Sequence, residues 1–446
     1  MSLASIDEAA SRSPTESVSS STPVGPATFP SPANLLVENQ ISEQFVAELA
    51  KALHQNGMAS DELEQNVLQL AQQLRLEVSV FATPTSIFFS FGQADQYRTL
   101  LLRVTPADID LGKLNELQAL QQDVVLGQVT LREARVRLPQ LLQQQSRYGF
   151  WLSSMAFAWA SGAATLLFGG GIREWAVTLI VGFWLGCFGG MLQHWPRLAR
   201  TYAPLGAIWA ALSPYYFGIL LQPLSLEVVT LGSLVVLLPG LTLTIAINEL
   251  ATQNLAAGSA RLFGGLVLLM TLGFGVALGS SLGQQLTATP TGLSPTAAHP
   301  GFWYLAIATA PLAFAILFRA QPRDFLPITL TCWLGFAMTQ AAGGLVIPVV
   351  SGAIGSFSVG LIGSLYARWT NRSSSTLAVP GLVFLVPGSI GFRSIQLLLL
   401  NDVESAVRGA FEMFMVAISL VSGLLVAYSL LPGTSQFASQ SHVEPR

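Results

Sequence analysis

Two short stretches carry side chains able to do chemistry in surroundings that make such side chains costly. The first reads Pro239-Gly240, Thr242, Thr244, Asn248 and Glu249, with Arg261 following; the second reads Pro387-Gly388, Ser389 and Arg393. Both lie in long apolar runs, where a charge at the bilayer centre costs about 2.5–3.5 kcal/mol or more. Proline lacks an N–H and obstructs the carbonyl four residues back, and glycine lets the backbone turn freely, so each Pro-Gly pair predicts a broken helix. The half-helix after the break starts with unpaired N–H groups, which attract a carboxylate. A plain kink is the bland alternative at either pair.

The side chains after the breaks admit two readings each. Glu249 is a proton-coupling carboxylate or a partner for a substrate ammonium, with Asn248 beside it, or else a hydrated interfacial glutamate. Arg261 pairs with Glu249 or guides a carboxylate, or it is a topology anchor. Arg393 must pair or face water, and its planar fork suits a substrate carboxylate. Thr242, Thr244 and Ser389 reach a substrate hydroxyl or bond their own backbone.

Other motifs argue for little chemistry. Cys187 and Cys332 sit in apolar runs away from any ligand-spaced partner, so they read as packing residues and no metal site is expected. His54 and His194 read as surface or interfacial residues. Glu412 pairs with Arg408 at i, i+4, and Asp402 and Glu404 read as hydrated interface residues. Gly279-Ser-Ser-Leu-Gly283 fits the G-x-S-x-G nucleophile pattern, but it ends an apolar helix without a strand-to-helix elbow. The rows Gly182/Gly186/Gly190, Gly275/Gly279/Gly283 and Gly352/Ser356/Gly360/Ser364 read as close-approach helix faces. There is no P-loop or H-E-x-x-H, and no cofactor is expected.

The elements that position these residues follow from composition. Half the chain is apolar (51%) and only 10% is charged, well below the roughly 25% of a soluble protein. That excludes a cytosolic enzyme, and a net charge of −3 excludes a nucleic-acid-coating protein. Ten apolar stretches recur after Phe150, at 151–169, 173–192, 203–222, 228–247 and 261–283, then 302–319, 324–341, 344–366, 377–400 and 407–431, each near the ~20 residues of a membrane crossing. The expected fold is a mainly α-helical polytopic membrane protein with an N-terminal α+β soluble domain. Residues 1–33 read as a disordered tail without a signal peptide, 34–146 as the cytoplasmic α+β domain and 433–446 as a short tail. The α+β reading rests on helical spacing at Phe45, Leu49 and Leu53 and at Leu63, Val67 and Leu70. Strand-like runs at 76–81, 86–91 and 97–104 and a capping box at Thr130 and Glu133 complete it.

Arginines concentrate in the loops shared with that domain: Arg197 and Arg200, Arg261, Arg319 and Arg323, Arg368 and Arg372. The positive-inside rule then puts both termini in the cytoplasm. Residues 150–285 and 300–432 form two five-span repeats, because SLVVLLPGLTLTIAINELATQN and GLVFLVPGSIGFRSIQLLLLND place their Pro-Gly pairs alike. An odd span number inverts the second copy, a signature of secondary transporters whose site lies where the breaks meet.

These residues resemble the threonine/serine exporter family over nearly everything after residue 40. The most specific part is LLPGLTLTIAINELATQNLAAGSARL (237–262), supported by GMASDELEQNV, FATPTSIFFSF and LVPGSIGFRS. The resemblance implies a plasma-membrane protein that exports threonine, serine or a similar small amino acid, energised by protons. In some family members the two halves are separate proteins. The expected partners are therefore a small amino acid, protons and the lipid bilayer, with no nucleic acid, and nothing opposes a homo-oligomer. The alternatives are a passive small-solute channel and a membrane-anchored sensor acting through the soluble domain.

Overall fold

The computed structural model describes residues 32–92, 97–105, 108–286, 299–344, 348–370, 372–385, 388–399 and 401–431. Pro387, most of the expected N-terminal tail and the C-terminal tail lie outside the described residues. The chain divides into two compact units, Met1–Ile41 and Ser42–Arg446, so the α+β region and the membrane helices share one unit. Of the first unit, only the opening residues of helix α1, Pro32–Gln55, are described.

The α+β region follows its sequence signals. Helix α2, Ser60–Gln73, opens with Asp61 and Glu62 in its first turn and buries Leu63, Val67 and Leu70. Strands β1, Val78–Thr83, β2, Ser86–Phe91, and β3, Arg98–Arg103, form an antiparallel meander. Asp110 caps helix α3, Leu111–Val125, by accepting from the Lys113 N–H. Thr130 and Glu133 form the expected capping box on α4, Leu131–Gln143. His54 departs from expectation. It is buried, with Nδ1 3.1 Å from the Met58 carbonyl oxygen and Nε2 2.9 Å from that of Thr83, so its ring N–H finds a backbone acceptor inside the core.

The membrane region begins with α5, Phe150–Leu167, and α6, Ile172–Leu192, continues through the short α7, Pro196–Ala199, and α8, Tyr202–Leu220, and reaches α9, Leu226–Leu234. After a turn, α10 runs Gly240–Ala251 and α11 Leu255–Leu286. The second half holds α12, Pro300–Leu317, α13, Phe325–Gly343, α14, Pro348–Thr370, α15, Ser375–Leu385, α16, Gly388–Leu399, and α17, Val403–Leu430. Among the described residues, eight helical stretches are long and apolar enough to cross a membrane, and Gly240–Ala251 and Gly301–Leu317 are shorter apolar helices. This is a polytopic helical membrane protein.

The two halves choose corresponding neighbours. Helix α9 packs on α5, α6 and α8, and α15 packs on α12, α13 and α14; α11 packs on α8 and α10, and α17 on α14 and α16. Each half also buries a carboxylate near the start of its second long helix. Glu174 accepts from the Gly171 N–H and from the Ser225 N–H that leads into α9. Asp324 accepts from the Tyr366 hydroxyl and from Arg372, which leads into α15.

The glycine rows behave as packing faces. Gly182 and Gly186 meet Ser161 and Ser154 of α5, and Gly275 and Gly279 meet the α8 backbone. The G-x-S-x-G pattern thus lies inside α11. Both cysteines are free, Cys332 buried and Cys187 partly so. Arg408 pairs with Glu404 rather than Glu412, at 3.0 Å. Glutamate four residues before arginine is the better helical orientation, and Glu404 also sits in the first turn.

Candidate functional site

Helix α10 cannot continue α9 because Pro239 has no N–H to give. It occupies the N-cap position with φ −79° and ψ 36°, and the chain restarts as helix at Gly240. Helix α16 runs over Gly388–Leu399. The two helices touch. A Cβ placed on Gly388 would stand 3.3 Å from the Gly240 Cα and 3.4 Å from its nitrogen. A Cβ there would be tighter than ordinary contact, so glycine eases the approach of the two backbones.

The contact faces a cavity of about 910 Å³ whose lining includes Gly240, Leu241, Thr242, Gly388 and Ser389. Gly240, Leu241 and Thr242 form the first turn of α10, whose N–H groups have no acceptor within their own helix. Each helix N-terminus carries roughly half a positive charge. The α10 N-terminus therefore opens on a space with a largely apolar lining that includes Ala160, Ala164, Leu167, Val236 and Phe384. Among the described residues the charged side chains lining it are Asp108 and Arg319, one of each sign, with His194 also present. An anionic group is what the α10 dipole suits there.

The expected site residues separate into three places. Gly240, Thr242, Gly388 and Ser389 come together at the cavity. Thr244 is buried and its hydroxyl donates to the Gly240 carbonyl, the backbone alternative. Pro239 shapes the restart without lining the cavity. Asn248, Glu249 and Arg261 sit together at the other end of α10. Glu249 is fully buried, so the hydrated reading does not hold. Arg261 grips it with two bonds of 3.0 Å from Nε and Nη2. Its Oε1 also accepts from the Ser60 N–H at 3.2 Å, the first amide of α2. Asn248 Nδ2 and Thr252 Oγ1 each donate to Asp61 Oδ2 at 3.5 Å.

Arg393 stands apart from both groups. It is exposed, and its guanidinium carbon lies 5.9 Å from the centroid of Phe168, a residue that lines the cavity. A cation over an aromatic face is attracted by the ring quadrupole.

Sequence reasoning missed Ser60 and Asp61 as partners of α10 and missed Asp108, Ile109 and Arg319 in the cavity lining. The acidic first turn of α2 was visible, but its use by a residue 189 positions away was not. Burial raises Glu62 to about 7, aided by the neighbouring Asp61 charge, and burial likewise raises Asp61 and Glu64.

Two sequence models of the threonine/serine exporter family match the chain, one over residues 44–283 and the other over 302–430. The chain belongs to the threonine/serine exporter family. It is a membrane protein of a transporter family. It is also similar to pheromone-regulated membrane protein 10 of Eremothecium gossypii, 24% identical over 81% of this chain and 50% of that protein. The protein of the same name in Saccharomyces cerevisiae is 26% identical over 81% of this chain and 48% of its own length. The chain thus spans about half the length of these relatives. No solved structure matches it.

Proposed function

We propose that the chain exports threonine, serine or a similar small amino acid across the plasma membrane, by proton antiport and alternating access. The observation that carries this reading is the N-terminus of α10 meeting Gly388 of α16 at a cavity whose described lining is largely apolar. A substrate carboxylate supplies negative charge to the free amides of Gly240 and Leu241. The hydroxyls of Thr242 and Ser389 stand beside them for a hydroxylated side chain. The cavity volume falls within the range of about 300–1,000 Å³ typical of small-molecule sites.

Ten crossings result when α9 with α10, and α15 with α16, each count as one broken span. The corresponding neighbours of the two halves, and the buried carboxylates Glu174 and Asp324, support a repeat. The α12–α13 turn touches the α+β region through the Leu111 N–H and the Phe318 carbonyl. The α5–α6 turn lies a helix length away, about 27 Å for 18 residues. Equivalent turns on opposite faces make the repeat inverted, the arrangement that lets two halves rock about a central site. The arginine distribution supports cytoplasmic placement of the α+β region and both termini.

Glu249 is the carboxylate where a proton acts. Protonation removes its charge from the Arg261 pair and weakens its hold on Ser60. Arg393, beyond Phe168, meets the carboxylate when the cavity opens to the opposite face.

The test uses proteoliposomes with an imposed pH gradient and labelled threonine. Glu249→Gln is expected to abolish gradient-driven accumulation while the protein keeps its fold and its gel-filtration profile. Wild-type accumulation in that variant removes Glu249 from the mechanism. Flux of wild-type protein that never exceeds equilibration supports the channel instead, and binding without flux supports the sensor.

A further inference from the structure

The α+β region holds the two membrane halves by contacts of opposite kind. Towards the second half its apolar core simply continues. Ala315, Ala320, Ile328, Cys332 and Leu377 belong to the same buried cluster as Phe45, Phe89 and Leu114. Polar contacts reinforce that side. Leu111 N–H donates to Phe318 O at 2.9 Å, Tyr148 hydroxyl to Ala320 O at 2.6 Å, and Thr376 Oγ1 to Asn115 Oδ1 at 2.8 Å. Gly112 lies so close to the turn that a Cβ there would stand 2.7 Å from the Arg319 carbonyl.

Towards the first half the picture reverses. Among the described residues, no apolar side chain of 150–286 joins that core. The hydrogen-bonded contact there sets the N-terminal turn of α2 against the C-terminal end of α10, through Ser60 N–H, Asp61, Asn248, Glu249 and Thr252, with Glu64 bonded to Asn254 and β1 against α11 beside it. Apolar burial is lost only by exposing surface to water, whereas hydrogen bonds exchange with water at a net of about 1 kcal/mol each. If the halves rock, the polar contact is the one that parts.

We infer that the α+β region travels with the second half and acts as the inner gate, latched to the first half through Ser60 and Asp61 on Asn248 and Glu249. The inference rests on the alternating-access reading. In the latched state the cavity lining runs from Gly240 and Gly388 to Asp108 and Ile109 of the α+β region, and on this proposal that side is the open one. Closing it needs α10 and α2 to separate. Helix α10 is the connecting rod: its first residue lines the cavity and its last turns hold the latch.

Ser60 allows a clean probe. It is the first residue of α2, where proline is tolerated, and Ala59 before it is extended (φ −65°, ψ 155°), as a residue preceding proline must be. Ser60→Pro therefore deletes the amide that Glu249 accepts from while preserving the helix. Ser60→Ala keeps the amide and removes a hydroxyl that has no partner among the described residues, so it serves as the silent control. For the opposite effect, Asp61→Cys with Asn248→Cys locks the latch by a disulfide.

The readout needs no substrate. Thr242→Cys is placed in the cavity of protein whose Cys187 and Cys332 are changed to alanine, and an impermeant maleimide is applied from either face of sealed vesicles. Ser60→Pro is expected to raise the ratio of far-face to near-face labelling about ten-fold, with Ser60→Ala at the unaltered ratio. The locked protein is expected to label from the near face alone and to regain far-face labelling on reduction. Far-face labelling that persists in the locked protein overturns the latch while sparing alternating access. Far-face labelling absent even with the latch free overturns both. Equal ratios for the proline and alanine variants also overturn the latch, provided both melt with the parent protein.

Discussion

Helix α10 joins two places of opposite character within twelve residues. At Gly240 it has no charged side chain beside it, a backbone neighbour in van der Waals contact and an open cavity. At Glu249 it has a fully buried carboxylate, a two-pronged guanidinium and a helix amide, and it does not line the cavity. In the proposed function this difference separates recognition from control. A half-helix dipole needs no side chain to attract an anion, so the end proposed to face the solute needs no fixed charge. The other end holds a buried charge pair, the one proposed to answer to a proton and to the position of α2.

The hardest blow to this division falls at the crossing. Gly388→Leu would push a branched side chain into the Gly240 backbone, where even one carbon is tight. Transport is expected to drop about 100-fold or more with the protein still monodisperse, and near-normal uptake would disprove the crossing as the site. At the charged end, Arg261→Ala leaves Glu249 buried without its cation. An expected loss of about 3–5 kcal/mol is checked by thermal unfolding in detergent, and adding Glu249→Gln should recover much of it. If Arg261→Ala instead abolished threonine binding at full stability, the two ends would not be separable.

The smallest expected effect is a pH dependence beside the latch. Glu62 titrates near 7 in the folded protein, against an ordinary value near 4.5. A raised carboxylate favours the folded state when protonated, so its contribution is fully present below about 4.5 and fades as pH rises through about 7. Unfolding temperature should therefore decline over that window, and Glu62→Gln should flatten the decline.

The sequence shows the two ends unequally. The restart at Gly240 was legible because proline and glycine act on their own backbone, and the capping box at Thr130 acts over three residues. The membrane spans follow from length and hydropathy alone. The partners of Glu249 were half legible. Arg261, twelve positions on, lies within reach of one helical hairpin, but Ser60 is set by how an N-terminal region docks, which no local pattern encodes. His54 misled for the same reason, since its acceptors at Met58 and Thr83 exist only once the meander folds back. Arg393, expected to pair or face water, is exposed beside the ring of Phe168 at the end of α5, a neighbour that local sequence does not reveal.

The shared apolar core has a consequence for how the chain can be divided. A polypeptide stopping after α11 would contain Phe45, Phe89 and Leu114 without Ile328, Cys332 and Leu377 to cover them. It would emerge as an orphan subunit with a sticky flank, dependent on prompt capture by its complement and a natural client for quality-control proteolysis until captured. Splitting this architecture into two genes thus builds obligate assembly into the fold itself.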